Sequence, residues 1–378
     1  NLFIFEKIKI MKYIYTTLFL LISHLAFSQC NGRYEYEIFN SVDKTTVYYP
    51  ELVQWFDDEH KLDVYMPTGD TEINRPLIIF LHGGTFIAGD KENTDCVDFC
   101  ETFAKKGYVT ASVNYRLANP VNFYLFEETQ YETVLQAVAD VKAAIRYFRH
   151  DHETDNSYNI DPNTIFVGGS SAGAIIAIHL AYIDDISDLS TASTTIDLQT
   201  IANNNGGIDG DLGYANYSSE VSGVISFAGG IHNINWIDEN DEPLVSIHGN
   251  NDGTVDYNCA TVLGGSTPVN LSLCGSGEMH PRAESVNIIN DHLLLNGSDH
   301  DWFNSGNGDS RFLDALDFTT DFLFPLLPCN QSTFTINQGL IKQEEIQSLD
   351  LLGRKNQNTK LLINIFNDGT TSKQIIVE

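Results

Sequence analysis

The sequence has few basic side chains. Its 378 residues include 21 lysines and arginines against 51 aspartates and glutamates, a formal net charge of −30. Nucleic acids and anionic lipid surfaces are polyanions, so neither is expected to bind so acidic a chain. Cysteine is also scarce, with six in the chain. A zinc site at Cys96 and Cys100 would need a second Cys or His pair nearby, which the sequence lacks, so no metal is predicted.

The sequence also lacks an apolar run long enough for a comfortable membrane span, so stable membrane insertion is not expected. Residues 11–28 combine a short basic start, an apolar run and an Ala-x-Ser end, the pattern of a secretory signal peptide. We predict cleavage after Ser28 and a secreted or cell-surface protein, with residues 1–10 as an upstream extension of the reading frame. A lipoprotein anchor on Cys30 is the alternative, but the preceding Phe-Ser-Gln lacks the small residues that such processing favours.

The most informative pattern is G-x-S-x-G at residues 169–173, where an apolar strand-like run meets an apolar helix-like run. Its two glycines allow a sharp turn that exposes the central serine above a sheet and points the N-terminus of the helix at the site. Ser171 is therefore the candidate nucleophile. The neighbouring Ser170 stands in a frame without the second glycine, and its hydroxyl is expected to point away from the turn.

A serine nucleophile needs a base, and the base needs an acid that sets its tautomer. Residues 243–255 predict a short buried strand followed by a polar turn, which places Asp252 at the carboxyl edge of the sheet. Asp252 is the candidate acid. Asp256, one turn further on, is the alternative.

The candidate base follows the acid in the chain. Residues 292–302 predict an apolar strand and a Gly-Ser turn, from which His300 emerges at the same sheet edge. His280 and His292 compete for this role, but they lie on helix-like and strand-like segments instead of a loop that faces Ser171. His300 is therefore the candidate base.

Backbone N–H groups are needed to bind the negative oxygen that forms during acyl transfer. Residues 77–81 predict a buried strand that ends in His-Gly-Gly-Thr, a loop whose glycines let the main chain approach a substrate. The amide after the nucleophile would complete the oxyanion hole. The expected contributors are Gly83, Gly84, Thr85 and Ala172.

These four features, in this order, resemble the α/β-hydrolase superfamily. Within it they resemble the H-G-G-type carboxylesterases, a group with lipase-like, feruloyl-esterase-like and acetyl-xylan-esterase-like members. The resemblance covers roughly residues 45–328 and includes V-N-Y-R-L at 113–117 and H-G-N-N-D at 248–252. It implies a Ser-His-Asp triad and no metal or organic cofactor. Thr85 and Asp256 depart from the family pattern, and the former leaves open which loop amide contributes most.

Strand-like runs alternate with helix-like runs between residues 30 and 330, which predicts an α/β catalytic domain with a mostly parallel sheet covered by helices on both faces. Residues 127–150 form the clearest amphipathic helix, and its apolar stripe is expected in the core. The polar segment 186–220 falls where a lid or substrate-shaping insertion would lie. Asp-Gly-Asp-Leu-Gly at 209–213 resembles part of a calcium loop, but a solvated turn is the preferred interpretation.

Export would place the cysteines in an oxidising compartment, where disulfides are expected. Two pairs are close in sequence, and the remaining pair would join the two ends of the catalytic domain. Spacing alone does not establish this connectivity. The candidate pairs are Cys96–Cys100, Cys259–Cys274 and Cys30–Cys329.

Residues 331–378 resemble the C-terminal sorting domain of the type IX secretion system of Bacteroidota. The matching features are L-G-R at 352–354, N-D-G-T at 367–370 and K-x-I-I-V at 373–377. The resemblance implies a small all-β module and the type IX machinery as a partner. A β accessory or carbohydrate-binding module is the alternative, but the segment is short for a binding groove.

The sequence thus predicts a secreted serine carboxylesterase that works through an acyl-enzyme. Its ester substrates would be plant cell-wall acetyl or feruloyl esters, short-chain lipids or synthetic polyesters. A peptidase or amidase on this fold needs stronger protonation of the leaving group and usually carries a propeller domain, for which the chain is too short. A non-catalytic binding protein with this fold is the other alternative. Such proteins usually lose the serine or the histidine, whereas this chain retains both.

Overall fold

The computed structural model describes residues 30, 32–49, 59–192, 194–265, 269–330, 345–349, 361–366 and 371–375. The predicted signal peptide and its cleavage site lie outside these residues. The chain divides into two units, Asn1–Gln331 and Ser332–Glu378.

Ten strands occur in the described part of the first unit, and eight of them form one sheet in the order β1-β2-β4-β3-β5-β6-β7-β10. β1 and β2 pair antiparallel at one edge, β2 also pairs antiparallel with β4, and the other pairs are parallel. The mostly parallel sheet predicted from the sequence is therefore confirmed. The strands are β1 (Val42–Tyr48), β2 (Lys61–Pro67), β3 (Arg75–Leu81), β4 (Val109–Val113), β5 (Ile160–Ser170), β6 (Gly223–Phe227), β7 (Leu244–Gly249), β8 (Cys259–Thr261), β9 (Ser272–Cys274) and β10 (Asn290–Leu295).

Helices lie in most of the crossovers between parallel strands; the connection from β6 to β7 contains only a short 3-10 helix, Ile234–Trp236. They are α1 (Thr94–Lys105), α2 (Pro120–Leu125), α3 (Glu127–Glu153), α4 (Ala172–Tyr182), α5 (Leu198–Asn204), α6 (Ser276–Ser285) and α7 (Ser310–Leu323). The amphipathic helix predicted at 127–150 is α3, and the residues of its apolar stripe are buried: Val134, Val138, Val141, Ala144 and Ile145.

Both faces of the sheet are covered, which explains why β3 is a continuous apolar run. Alternate residues of β3 belong to different cores. Leu77 and Ile79 pack in the core that contains α3 and α4. Ile78 and Phe80 pack in the core that contains α1 and α7, where Phe80 stacks on Phe99 with ring centroids 3.9 Å apart. The carboxyl edge of this sheet carries the loops that hold the predicted site residues.

Two of the three expected disulfides are present, Cys30–Cys329 and Cys259–Cys274. The expected Cys96–Cys100 pair is wrong, because both thiols are free and buried. Both residues lie on α1, four positions apart. Cβ atoms at this spacing on a helix are about 5–6 Å apart, whereas a disulfide needs about 3.5–4.5 Å.

The loop at 209–213 is tied to α3 by hydrogen bonds from cationic side chains. Arg146 donates to the main-chain oxygens of Asp209, Leu212 and Gly213. Lys142 Nζ lies 3.0 Å from Asp209 Oδ1. Four oxygens of this segment are therefore paired with protein cations, and its interpretation as a solvated turn stays a prediction.

The described residues of the second unit form a three-stranded antiparallel sheet of β11 (Glu345–Leu349), β12 (Leu361–Phe366) and β13 (Thr371–Ile375). The L-G-R and N-D-G-T motifs lie outside the described residues, so the sorting-domain assignment stays a prediction. In the described parts of the chain, no helix is both long and apolar enough to cross a membrane.

Candidate active site

The candidate nucleophile stands at a strained turn between β5 and α4. Ser171 has φ 51° and ψ −115°, a conformation that non-glycine residues rarely adopt outside functional sites. The flanking glycines are required by close packing on the end of β3. A Cβ atom at Gly169 would lie 2.5 Å from the carbonyl oxygen of Leu81, and one at Gly173 would lie 2.2 Å from it. This packing holds the Ser171 side chain at the carboxyl edge of the sheet.

Three of the predicted residues meet in one hydrogen-bonded chain. His300 Nε2 lies 2.8 Å from Ser171 Oγ, and His300 Nδ1 lies 2.7 Å from Asp252 Oδ2. A carboxylate only accepts hydrogen bonds, so the His300 proton is on Nδ1 and Nε2 is free to accept from the serine hydroxyl. The arrangement can remove the proton from Ser171.

Asp252 is held by donors on both of its oxygens. Oδ1 accepts the backbone N–H groups of Thr254 at 2.8 Å and Val255 at 2.9 Å. Burial raises the pKa of this carboxyl, but hydrogen bonds from His248 and His300 outweigh burial and hold the pKa well below its usual range. Asp252 is therefore charged at neutral pH and can stabilise a protonated imidazole.

His248 is a functional neighbour that sequence reasoning missed. The fully buried ring places Nε2 2.9 Å from the carbonyl oxygen of Val255 and 3.3 Å from Asp252 Oδ2. A carbonyl only accepts, so Nε2 carries the proton and Nδ1 faces the hydroxyl of Ser276 at 3.0 Å. The H-G-N-N-D pattern contained this residue, but nothing in the pattern assigned it a contact.

Ser170 points away from the nucleophile's partners. Its hydroxyl donates to Asp95 Oδ2 at 2.5 Å, and both side chains are buried. Burial raises the pKa of the Asp95 carboxyl. The contact joins the first turn of α1 to the end of β5, directly behind the strained turn.

The glycine loop after β3 lies against the nucleophile. A Cβ atom at Gly83 would be 3.2 Å from Ser171 Cβ. Gly84 has φ 124°, and a side chain there would collide with the carbonyl oxygen of Ala88 at 2.0 Å. Among the described residues, no backbone carbonyl accepts the amide protons of the four predicted oxyanion contributors: Gly83, Gly84, Thr85 and Ala172.

His82 holds this loop in place. Its ring stacks on Tyr115 with centroids 4.3 Å apart, and its Nδ1 donates to the carbonyl oxygen of Gly83 at 2.7 Å. In a trans peptide the C=O and the following N–H point in opposite directions, so this bond also orients the amide of Gly84. Burial lowers the pKa of His82 to about 4, so the ring is neutral and acts through its hydrogen bond.

The alternative candidates for the base and the acid, His280, His292 and Asp256, make other contacts. His280 Nδ1 is 2.8 Å from Asn290 Oδ1, and its ring stacks on His292 with centroids 4.6 Å apart. Asp256 Oδ1 accepts the backbone N–H of Asn258. None of these three groups contacts Ser171 or His300 in the described structure.

The model of the BD-FAE family matches residues 62–265, more than half of the chain. The chain belongs to the BD-FAE family. The matched region includes the oxyanion loop, Ser171 and Asp252, while His300 follows it.

This BD-FAE chain is also similar to known esterases. A probable isoprenylcysteine alpha-carbonyl methylesterase of Oryza sativa subsp. japonica is 31% identical over 118 residues, which cover 31% of this chain and 24% of that protein. The propionate-bound structure of a thermophilic esterase from the planctomycete Thermogutta terrifontis matches with a TM-score of 0.51 and 20% identity over 74% of this chain and 93% of that one. A truncated carbohydrate esterase from gut microbiota matches with a TM-score of 0.51 and 20% identity over 76% and 97%. This member of the BD-FAE family has the α/β-hydrolase fold.

Proposed function

We propose that this protein is a serine carboxylic-ester hydrolase that forms an acyl-enzyme on Ser171. The observation that carries the proposal is the continuous chain of hydrogen bonds from Ser171 through His300 to Asp252. Beside it lies the glycine loop, whose amides at Gly83, Gly84 and Thr85 have no backbone acceptor among the described residues. The names of the similar proteins support this chemistry, since they are esterases. One structural neighbour, 21% identical with a TM-score of 0.50, is Thermogutta terrifontis esterase 2 phosphorylated by paraoxon.

In the first half-reaction, Ser171 Oγ attacks the carbonyl carbon of the ester while His300 Nε2 takes the hydroxyl proton. The carbonyl oxygen becomes negative and is stabilised by the amides of the glycine loop and of Ala172. The protonated imidazole then gives its proton to the alcohol oxygen as the C–O bond breaks, and the acyl group remains on the serine.

In the second half-reaction, a water molecule replaces the alcohol. His300 takes a proton from the water, which attacks the acyl carbon, and then returns a proton to Ser171 Oγ as the carboxylic acid leaves. Asp252 stays charged throughout, holds the His300 tautomer and stabilises the imidazolium. The cycle consumes one water per ester.

We propose further that the enzyme is exported. The signal-peptide pattern of residues 11–28 supports this localisation, and so do the two disulfides, which persist in oxidising compartments. N-terminal sequencing of the protein recovered from culture medium or the cell surface tests the proposal. A chain that retains its first 28 residues inside the cell would contradict it.

The catalytic assignment is tested with Ser171→Ala and the matched control Ser170→Ala, assayed on p-nitrophenyl acetate. We expect Ser171→Ala to lose at least about a thousandfold in kcat, because no nucleophile remains. Ser170→Ala should keep most of the activity. Paraoxon should add a diethylphosphoryl group, visible by mass spectrometry, to the wild type and to Ser170→Ala but not to Ser171→Ala. Full activity of Ser171→Ala would refute the proposal.

A further inference from the structure

The oxyanion loop, residues 82–89, contains two successive residues in an unfavourable backbone conformation. Thr85 has φ 57° and Phe86 has φ 60°, in the left-handed region that non-glycine residues rarely adopt and that a β-branched residue such as threonine adopts least readily. Such a conformation persists only where the surrounding structure holds it. The amide of Thr85 is one of the predicted oxyanion donors, so the contacts that hold these two residues also determine where that donor lies.

Phe86 joins the oxyanion loop to the core of the domain. Its side chain is 3% exposed, and its ring stacks on the ring of Phe123, in α2, with centroids 6.4 Å apart. The main-chain oxygen of Phe86 accepts the N–H of Ala118 at 2.8 Å. Both contacts come from the segment between β4 and α3, so one part of the chain holds the ring and the carbonyl group of Phe86.

Phe123 is itself fixed by hydrogen bonds to α2. At the start of this helix, Asn119 Oδ1 accepts the backbone N–H groups of Val121 at 3.0 Å and Asn122 at 3.3 Å. Gln130, in α3, donates from Nε2 to the main-chain oxygen of Phe123 at 2.8 Å. The Phe123 side chain is fully buried. Its position is therefore determined by the fold, and it can serve as a fixed support for Phe86.

We propose that Phe123 is a positioning residue that holds the oxyanion loop in its strained conformation through its contact with Phe86. The inference rests on the proposed function and adds a residue to it. Phe123 does not bind the negative oxygen itself, because a phenyl ring has no N–H or O–H group to donate. Without this ring, Phe86 loses its buried contact, the backbone at Thr85 and Phe86 relaxes, and the oxyanion amides lose their alignment.

The first test measures kcat and KM of full-chain variants on p-nitrophenyl acetate and butyrate. Both esters are used because Phe123 also lines a small pocket beside Ser171, so a variant there can change acyl-chain preference. Phe123→Ala should lower kcat about ten- to a hundredfold on both esters and leave KM within about threefold, because oxyanion contacts strengthen in the transition state. Phe148→Ala is the matched control and should keep most of its kcat. Phe148 is fully buried in the same core, but its ring contacts Tyr147 and Tyr158.

A glycine at position 85 gives a sharper test. Glycine adopts a positive φ without the penalty of a Cβ atom, so Thr85→Gly lowers the cost of the strained conformation. In the Phe123→Ala background it should raise kcat at least about fivefold, and this gain should exceed any gain in the wild type, where the loop is already held. Ala88→Gly is the matched control, since it adds a glycine to the same loop at a residue whose φ is not positive. An equal gain from Ala88→Gly, or no gain from Thr85→Gly, would overturn the proposal.

The outcomes also separate this proposal from the esterase assignment. No turnover of any ester by the wild type would overturn both. An unchanged kcat in Phe123→Ala, an equal loss in Phe148→Ala, or a loss confined to butyrate would overturn the positioning role and leave the assignment intact. If Phe123→Ala does not fold, Phe123→Leu keeps an apolar contact and should lose about two- to fivefold in kcat, which Thr85→Gly should restore. No recovery in folded Phe123→Leu would count against the proposal.

Discussion

At the residue scale, the least expected feature is a second histidine on the acidic member of the candidate triad. His248 donates to both the Asp252 carboxylate and the Val255 carbonyl, so it joins the acid to the loop that carries it. It does not touch the nucleophile or its base in the described structure. We therefore regard His248 as a positioning residue.

We expect His248→Phe to lower kcat by about ten- to a hundredfold, because small misplacements of catalytic groups have effects of this size. His248→Gln should retain most of the activity, since its amide supplies a donor near the position of Nε2. Removing the donor also removes an influence that lowers the pKa of Asp252, so the pKa of this carboxyl, followed by NMR, should be higher in His248→Phe than in the wild type. A lower melting temperature with an unchanged Asp252 pKa would indicate a structural role only.

Much of the candidate site could be predicted because its residues belong to short sequence motifs with fixed spacing. The turn at Ser171 requires glycines at fixed offsets, and the loop at Gly84 requires a residue that tolerates a positive φ. His248 and Asp95 were missed for a physical reason. Their contacts join segments that are distant in sequence or depend on the exact course of a loop, and a buried polar residue has no sequence signature apart from its partner.

At the element scale, the formation of α1 determines whether its two cysteines can form a disulfide. The spacing of Cys96 and Cys100 fits a disulfide only if the segment is irregular. The predicted pair rested on closeness in sequence and took no account of a helix at these positions. Once α1 forms, the two thiols are too far apart to bond and fill the apolar core instead. The mostly parallel sheet was predictable, because alternating strand-like and helix-like runs have few arrangements with both sheet faces covered. The α/β-hydrolase fold was implied by the resemblance of the four site motifs to that superfamily.

The buried contact of Asp95 on α1 with Ser170 on β5 predicts that the stability of the protein depends on pH. Burial raises the pKa of Asp95 above its ordinary value near 3.8, so the folded protein holds this proton at a pH where the unfolded chain has lost it. The free energy of unfolding then falls as pH rises through this window, and Asp95→Asn lacks the effect. The measured quantity is the melting temperature of Asp95→Asn minus that of the wild type. We expect this difference to be more positive at pH 8 than at pH 4.5. An equal difference at the two pH values would contradict the assignment.

At the scale of the whole molecule, the Cys30–Cys329 disulfide closes the catalytic domain. It joins residues 299 positions apart, whereas Cys259–Cys274 spans 15. A cross-link restricts the unfolded chain more as the closed loop grows, so the long loop contributes more stability. The bond lies at the ends of the domain, while the sheet edge that carries the site is organised by other contacts.

We expect the double variant Cys30→Ser and Cys329→Ser to lose about 2–5 kcal/mol of unfolding free energy while keeping its kcat at 25 °C. Dithiothreitol should lower the denaturation midpoint of the wild type more than that of the double variant, whose remaining bond closes a short loop. The double variant Cys259→Ser and Cys274→Ser is the matched control, because it removes a cross-link of the same chemistry. A larger loss of stability in this control would show that local strain or packing, and not the length of the closed loop, determines what each bond contributes.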